Sequence, residues 1–141
     1  MNDTFRLLGL DPKTEGGKYF DDSKWWWHAL WNYVYASCED ILTEDEYIQG
    51  HHIEIGFTIC AEKALKIANR LMDLIESGEC DEYEKKHTAA LESLPDEISP
   101  DSGAYTKPEA LMYPFTAENV HDFAEFCYLS GGFTVVNKKE H

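Results

Sequence analysis

The sequence predicts a mainly α fold: a compact bundle of about four helices with one or two short β-strands at its edges. Three observations predict it. Apolar residues recur at helical spacing in long stretches that begin near Lys24, Thr58 and Thr116. Capping residues stand where those stretches should start and stop, namely Asp21-Asp22-Ser23, Gly78, Thr116 and Ser130-Gly131-Gly132. Strand-like runs are confined to Phe5-Arg6-Leu7-Leu8 and Phe133-Thr134-Val135-Val136, near the two ends.

Taken in order, residues 1–18 are expected to be irregular apart from the short run at Phe5–Leu8, with turns at Asp11-Pro12 and Gly16-Gly17. Tyr19 and Phe20 bring two aromatics to the start of a first helix over about 24–42. Its broad buried face is Trp27, Leu30, Trp31, Val34, Tyr35, Cys38 and Ile41. The chain is organised around Trp25-Trp26-Trp27-His28-Ala29-Leu30-Trp31. Successive helical residues point about 100° apart, so three consecutive indoles fan over most of the circumference and cannot all enter one core. The plain account puts all four tryptophans in the core. The sharper one has Trp25 or Trp26, with His28, lining a binding surface.

Thr43-Glu44-Asp45-Glu46 reads as a cap opening a short acidic turn, and residues 49–57 as a connection carrying two glycines and the His51-His52 pair. Adjacent histidines point apart in regular structure, and the spacing is not that of a zinc-hydrolase helix, so no metal is expected there. A second helix begins after Thr58 and ends at Ser77, with the stripe Ala61, Ala64, Leu65, Ala68, Leu71, Met72 and Ile75. Gly78 closes it. Lys63, Lys66 and Arg70 gather on the opposite face, ordinarily a solvated one. A weaker third helix spans about 81–94 and stops at Pro95. Residues 95–112 read as a long loop, either an insertion or a lid. Thr116 caps a fourth helix with the stripe Val120, Phe123, Ala124, Cys127 and Tyr128, and 137–141 is a polar tail.

At 141 residues, with 43% hydrophobic and 13% aromatic content, the chain fits one folded domain with its own core. The net charge is −15, from 27 acidic and 12 basic residues, which repels long nucleic acids but not a small nucleotide in a local pocket. No apolar run approaches a membrane span and no signal peptide is visible, so a cytoplasmic protein is expected. The four cysteines, Cys38, Cys60, Cys80 and Cys127, form no CxxC pair and are expected as buried free thiols.

The run Trp25 to Val34, followed by Tyr113-Pro114-Phe115-Thr116-Ala117-Glu118-Asn119-Val120 and on through Phe126 to Ser130-Gly131-Gly132-Phe133, resembles a group of small uncharacterised bacterial and phage proteins. Members of that group often carry CxxC pairs ahead of the Tyr-Pro-Phe motif; this chain has none between Pro95 and Met112. The resemblance implies a similar fold and a bacterial or phage setting, and no activity.

Three functional classes follow. The first is a non-enzymatic binder of a small, flat, nucleotide-derived ligand, a phage-type sponge for an immune signal working in the host cytoplasm, without a cofactor. Stacking on an exposed indole or phenol, worth about 1–3 kcal/mol per base in single-stranded complexes, would hold the ring. Tyr19, Trp25, Trp26, His28, Asn32, His51, His52 and Asn119 supply the rings and polar groups, and Lys24, Lys66 and Arg70 the phosphate contacts. The surplus aromatics also suggest a homo-oligomer. The second class is an acidic inhibitor or DNA mimic acting on a host protein through 39–46 and 79–84. The third is a small hydrolase drawing on His28, His51, His52, Glu54, His87 or His121, although no nucleophile elbow or phosphate loop frames them.

Overall fold

Two strands far apart in sequence set the architecture. In the computed structural model, which describes residues 4–92, 97–98, 105–106 and 115–138, β1 (Thr4–Gly9) pairs antiparallel with β6 (Phe133–Lys138). Between them come a 3-10 turn at Glu15–Gly17, β2 (Tyr19–Ser23), α1 (Lys24–Ser37), α2 (Glu44–His51), β3 (Thr58–Ile59), α3 (Ala61–Glu76), α4 (Glu79–Glu92), β4 (Glu97–Ile98), β5 (Tyr105–Thr106) and α5 (Ala117–Ser130). The main sheet has four strands in the order β2-β1-β6-β3, all neighbours antiparallel, and β4 pairs separately with β5.

The bundle with short edge strands is therefore wrong: this is an α+β arrangement, a four-stranded antiparallel sheet with five helices among the described residues. Alternation explains the sheet. Phe5, Leu7, Phe133 and Val135 are buried while Leu8 and Val136 are exposed, so one face packs inward and the other meets solvent. The stretch 1–18, expected to be largely irregular, supplies β1 in full length. Tyr19 and Phe20 open β2 rather than a helix, pairing opposite Leu8 and Leu7. The run Tyr19-Phe20-Asp21-Asp22-Ser23 offers one inward apolar residue, Phe20, too little to register as a strand pattern, and its carboxylates suit an outer strand.

Helix α1 ends at Ser37 rather than near Leu42; Cys38 leaves helical geometry, and Arg70 Nη1 donates to the Ser37 carbonyl at 2.6 Å. The short acidic turn is a full helix, α2. Thr43 Oγ1 accepts from Glu46 N–H at 3.1 Å and Glu46 Oε1 accepts from Thr43 N–H at 2.9 Å, a reciprocal capping box. Gly50 sits inside α2 because a Cβ there would lie 2.6 Å from the Trp31 ring, so the helix can approach α1 only with glycine at that point. The buried face of α3 is Ala64, Ile67, Ala68 and Leu71, with Leu65 turned 42% exposed; that of α5 includes Phe126, with Tyr128 outside. Cys38, Cys80 and Cys127 are buried, but Cys60 is exposed as the residue preceding α3. The loop expected over 95–112 contains the β4–β5 pair; a lid role, Pro95, Tyr113-Pro114 and the end of the tail lie outside the described residues.

The core is joined by aromatic rings from three layers. Trp27 and Trp31 stack at 5.1 Å and 13°, Phe5 of the sheet meets Trp27 edge-on at 5.2 Å, and Phe123 of α5 meets Trp27 at 5.4 Å and Phe133 at 5.8 Å. Buried indole N–H groups need acceptors. Trp27 Nε1 donates to the Gly50 carbonyl and Trp31 Nε1 to the Tyr47 carbonyl, each at 2.9 Å, which fastens α2 onto α1. No helix among the described residues is long and apolar enough to cross a membrane.

Candidate functional site

Because β2 runs into α1 without a loop, the first turn of α1 stays beside the outer strand of the sheet. Ser23 caps it, its Oγ accepting from Trp26 N–H at 3.3 Å. Helix α5 starts close by: Thr116 Oγ1 accepts from Asn119 N–H at 3.1 Å, and Glu84 of α4 accepts from Ala117 N–H at 2.6 Å. Between these two helix starts and the end of β2 lies a wide-mouthed cleft of about 570 Å³. Trp26, Asp21, Asp22, Glu118, Asn119 and Asp122 line it, with the hydroxyl residues Thr4, Ser23 and Thr116 between them.

Its charge is the informative feature. Asp22 Oδ1 accepts from Ser23 N–H at 2.9 Å and Oδ2 from Asn119 Nδ2 at 3.5 Å. Burial nevertheless dominates and pushes its pKa up to about 6, against the two hydrogen bonds that lower it. Among the described residues no Lys or Arg pairs with Asp22, Glu118 or Asp122. Asp21 differs: Arg6 forks onto it with Nε and Nη2 at 2.7 and 2.9 Å, and the same guanidinium lies 4.1 Å from the Tyr19 ring centre. Trp26 is 37% exposed, in contrast to Trp27 and Trp31 beside it on the helix.

The residues singled out from the sequence fall into separate places. Trp26 and Asn119 meet at the cleft. His28, Asn32, His51 and His52 gather where α2 leaves α1: the His28 and His51 rings are 4.6 Å apart, His51 and His52 5.3 Å. Tyr47 joins them, stacked on Tyr35 at 4.4 Å and donating its hydroxyl to Asn32 Oδ1 at 2.6 Å. Burial first, and neighbouring histidines second, lower the pKa of both His28 and His51, which keeps these imidazoles neutral near pH 7. Tyr19 stands on the outer sheet face, 52% exposed. Trp25 lies under Lys24, whose Nζ is 4.9 Å from its ring.

The cations expected to hold phosphate do not converge. Lys24 opens α1, whereas Arg70 bonds the carbonyl of Ser37 at its other end, roughly 20 Å away along a helix of that length. Arg70 also forks onto Asp40, both bonds at 2.9 Å, and Lys66 pairs with Glu62 at 3.2 Å. A smaller cleft of about 330 Å³ lies beside them, with Asp40, Lys66, Asn69, Arg70 and Asp73 among its walls.

Sequence reasoning passed over Asp21, Asp22, Glu118, Asp122 and Tyr47. In the sequence the first two read only as part of a capping cluster, although they closely precede the tryptophan run. Glu118 and Asp122 flank Asn119 at helical spacing, and that neighbourhood was available to find them. Among the described residues no group of three or more His, Cys, Asp or Glu side chains is disposed to hold a metal ion. No protein-family model, no curated protein and no solved structure matches this chain.

Proposed function

We propose that this chain is a non-catalytic binder of a small, flat, positively charged molecule, held in the cleft between Trp26 and the carboxylates of β2 and α5. The observation that carries the reading is the pairing of a part-exposed indole with Asp22, Glu118 and Asp122, which no Lys or Arg pairs among the described residues, His121 lying 3.8 Å from Asp122. A cation over an indole face gains about 0.5–2 kcal/mol, more as water is excluded. Carboxylates beside it add charge-assisted hydrogen bonds.

The aromatic wall and the Asn119 amide belong to the stacking chemistry expected from the sequence. The phosphate does not suit this cleft, where carboxylates would repel it; a nucleotide fits only with its phosphates left outside in solvent. Sequestration, the role expected from the aromatic composition, requires binding alone and no catalytic group.

The test is isothermal titration at pH 7.5 with benzamidine, a flat amidinium, beside adenosine monophosphate. Benzamidine should bind, the Trp26→Ala variant should weaken it by about tenfold, a loss of about 1.4 kcal/mol, and the nucleotide should bind more weakly than benzamidine. Binding should also fade from pH 7 to pH 5 as Asp22 takes up a proton. Nucleotide binding tighter than benzamidine, or benzamidine binding indifferent to Trp26, overturns the reading.

A further inference from the structure

We infer that the cation this cleft recognises is the guanidinium of an arginine displayed by a basic partner protein, with Trp26 as the anchor on this side. The inference rests on the cation-binding reading above and narrows it. Three observations carry it.

The first is a worked instance of the same chemistry on the same strand. Arg6 places its guanidinium against the Tyr19 ring while forking onto Asp21. Asp22 follows Asp21 directly, and Trp26 supplies a ring on the other side of the Ser23 cap. A carboxylate and an aromatic ring thus share the cleft as they share the Arg6 site, and here no described arginine or lysine pairs with the carboxylate.

The second is the distribution of acceptors. Asp22 comes from β2, and Glu118, Asn119 and Asp122 from α5, so acceptors approach from different walls. Guanidinium is planar, stacks, and offers five N–H donors in a fixed fork that can bridge separate carboxylates. A lysine ammonium is a compact, strongly hydrated point charge, and a quaternary ammonium donates nothing. The Asn119 amide oxygen adds a neutral acceptor, its Nδ2 being already turned to Asp22.

The third is scale and field. Sites for free small molecules typically enclose about 70–90% of the ligand surface, which a wide-mouthed cleft cannot do. A side chain carried on a protein brings surrounding surface with it, and tryptophan and arginine are among the residue types most enriched in interface hot spots. The net charge of −15 would draw a basic protein to the surface before any contact forms.

The experiment titrates the full chain, labelled with 15N, with three capped tripeptides: acetyl-Gly-Arg-Gly-amide, its lysine counterpart and its citrulline counterpart, which keeps the shape and loses the charge. Benzamidine is run in parallel. The Trp26 indole and Asn119 carboxamide signals should shift with the arginine peptide. Affinity should fall about fivefold for lysine and more than tenfold for citrulline, and Glu118→Gln with Asp122→Asn should remove most of the difference between arginine and citrulline. Benzamidine binding with equal lysine and arginine affinities overturns the inference and leaves the small-cation reading standing. Silence from both probes removes both. Arginine-peptide shifts that bypass Trp26 and Asn119 also overturn it, because the contact then lies elsewhere.

Discussion

Trp26 and Trp27 are adjacent on one helix and live in opposite surroundings. Trp27 is sealed against Trp31, Phe5 and Phe123, and its N–H is bonded to the Gly50 carbonyl. Trp26 keeps more than a third of its surface in solvent and faces carboxylates. A rotation of about 100° separates a structural indole from a candidate recognition indole. The difference is one of supply: the α1–α2 seam furnishes carbonyl acceptors and apolar rings for two tryptophans, and the cleft furnishes three carboxylates, Asp22, Glu118 and Asp122, that no described Lys or Arg pairs.

The largest way to break this contrast is to delete the rings in turn. Trp27→Ala should cost about 3–5 kcal/mol in urea unfolding, since it empties a core site and removes the indole donor that ties α1 to the Gly50 carbonyl of α2. Trp26→Ala should cost less than half as much while weakening benzamidine binding about tenfold. Equal stability losses would mean that Trp26 is as structural as its neighbour and that the contrast is false.

A smaller effect, of opposite sign, should come from Asp22→Asn. The folded-state pKa of Asp22 is raised from 3.8 to about 6, so its neutral form is the one the fold prefers. The stability it lends is present below about pH 4 and is lost as pH rises through about 6; above that the buried charge is a standing cost. The amide keeps an acceptor for Ser23 N–H, so the variant should be more stable than the parent by on the order of 1–3 kcal/mol at pH 8, with the gap closing by pH 4. Benzamidine affinity should fall in the same protein. Gain in stability with loss of binding is the signature of a site held against the interest of the fold; a variant less stable at pH 8 would refute the buried-charge account.

The same contrast explains what was legible in the sequence. The helices around Trp31, Leu71 and Phe123 announce themselves because each stripe repeats within a few turns of chain. The sheet does not, because Leu7 finds Val135 across nearly the whole sequence, and β2 and β3 contribute too few inward residues to set a period. Gly50 argued against a helix locally, and only the Trp31 ring pressed against it shows why glycine is there. The residues of the cleft were half readable. Trp26 stands out as one indole too many, whereas Asp22 reads as an ordinary capping residue until α5 is folded over it and burial shifts its proton. Nothing in local spacing reports that Asn119 lines the same cleft.

The smallest test sharpens the seam. Its two indole bonds involve buried donors, and a third polar contact, Tyr47 to Asn32 at 2.6 Å, sits at its exposed rim. Water can replace a lost partner at the rim but not beneath the indoles, so bonds of similar length should differ in worth. Tyr47→Phe removes the hydroxyl and keeps the ring stacked on Tyr35 at 4.4 Å. A loss of about 0.5–1 kcal/mol or less in urea unfolding is expected, with His51 shifts confined to local NMR signals. A loss approaching that of Trp27→Ala would show that the α1–α2 seam is held at its rim, through Asn32, rather than by the carbonyls of Tyr47 and Gly50 against the paired tryptophans.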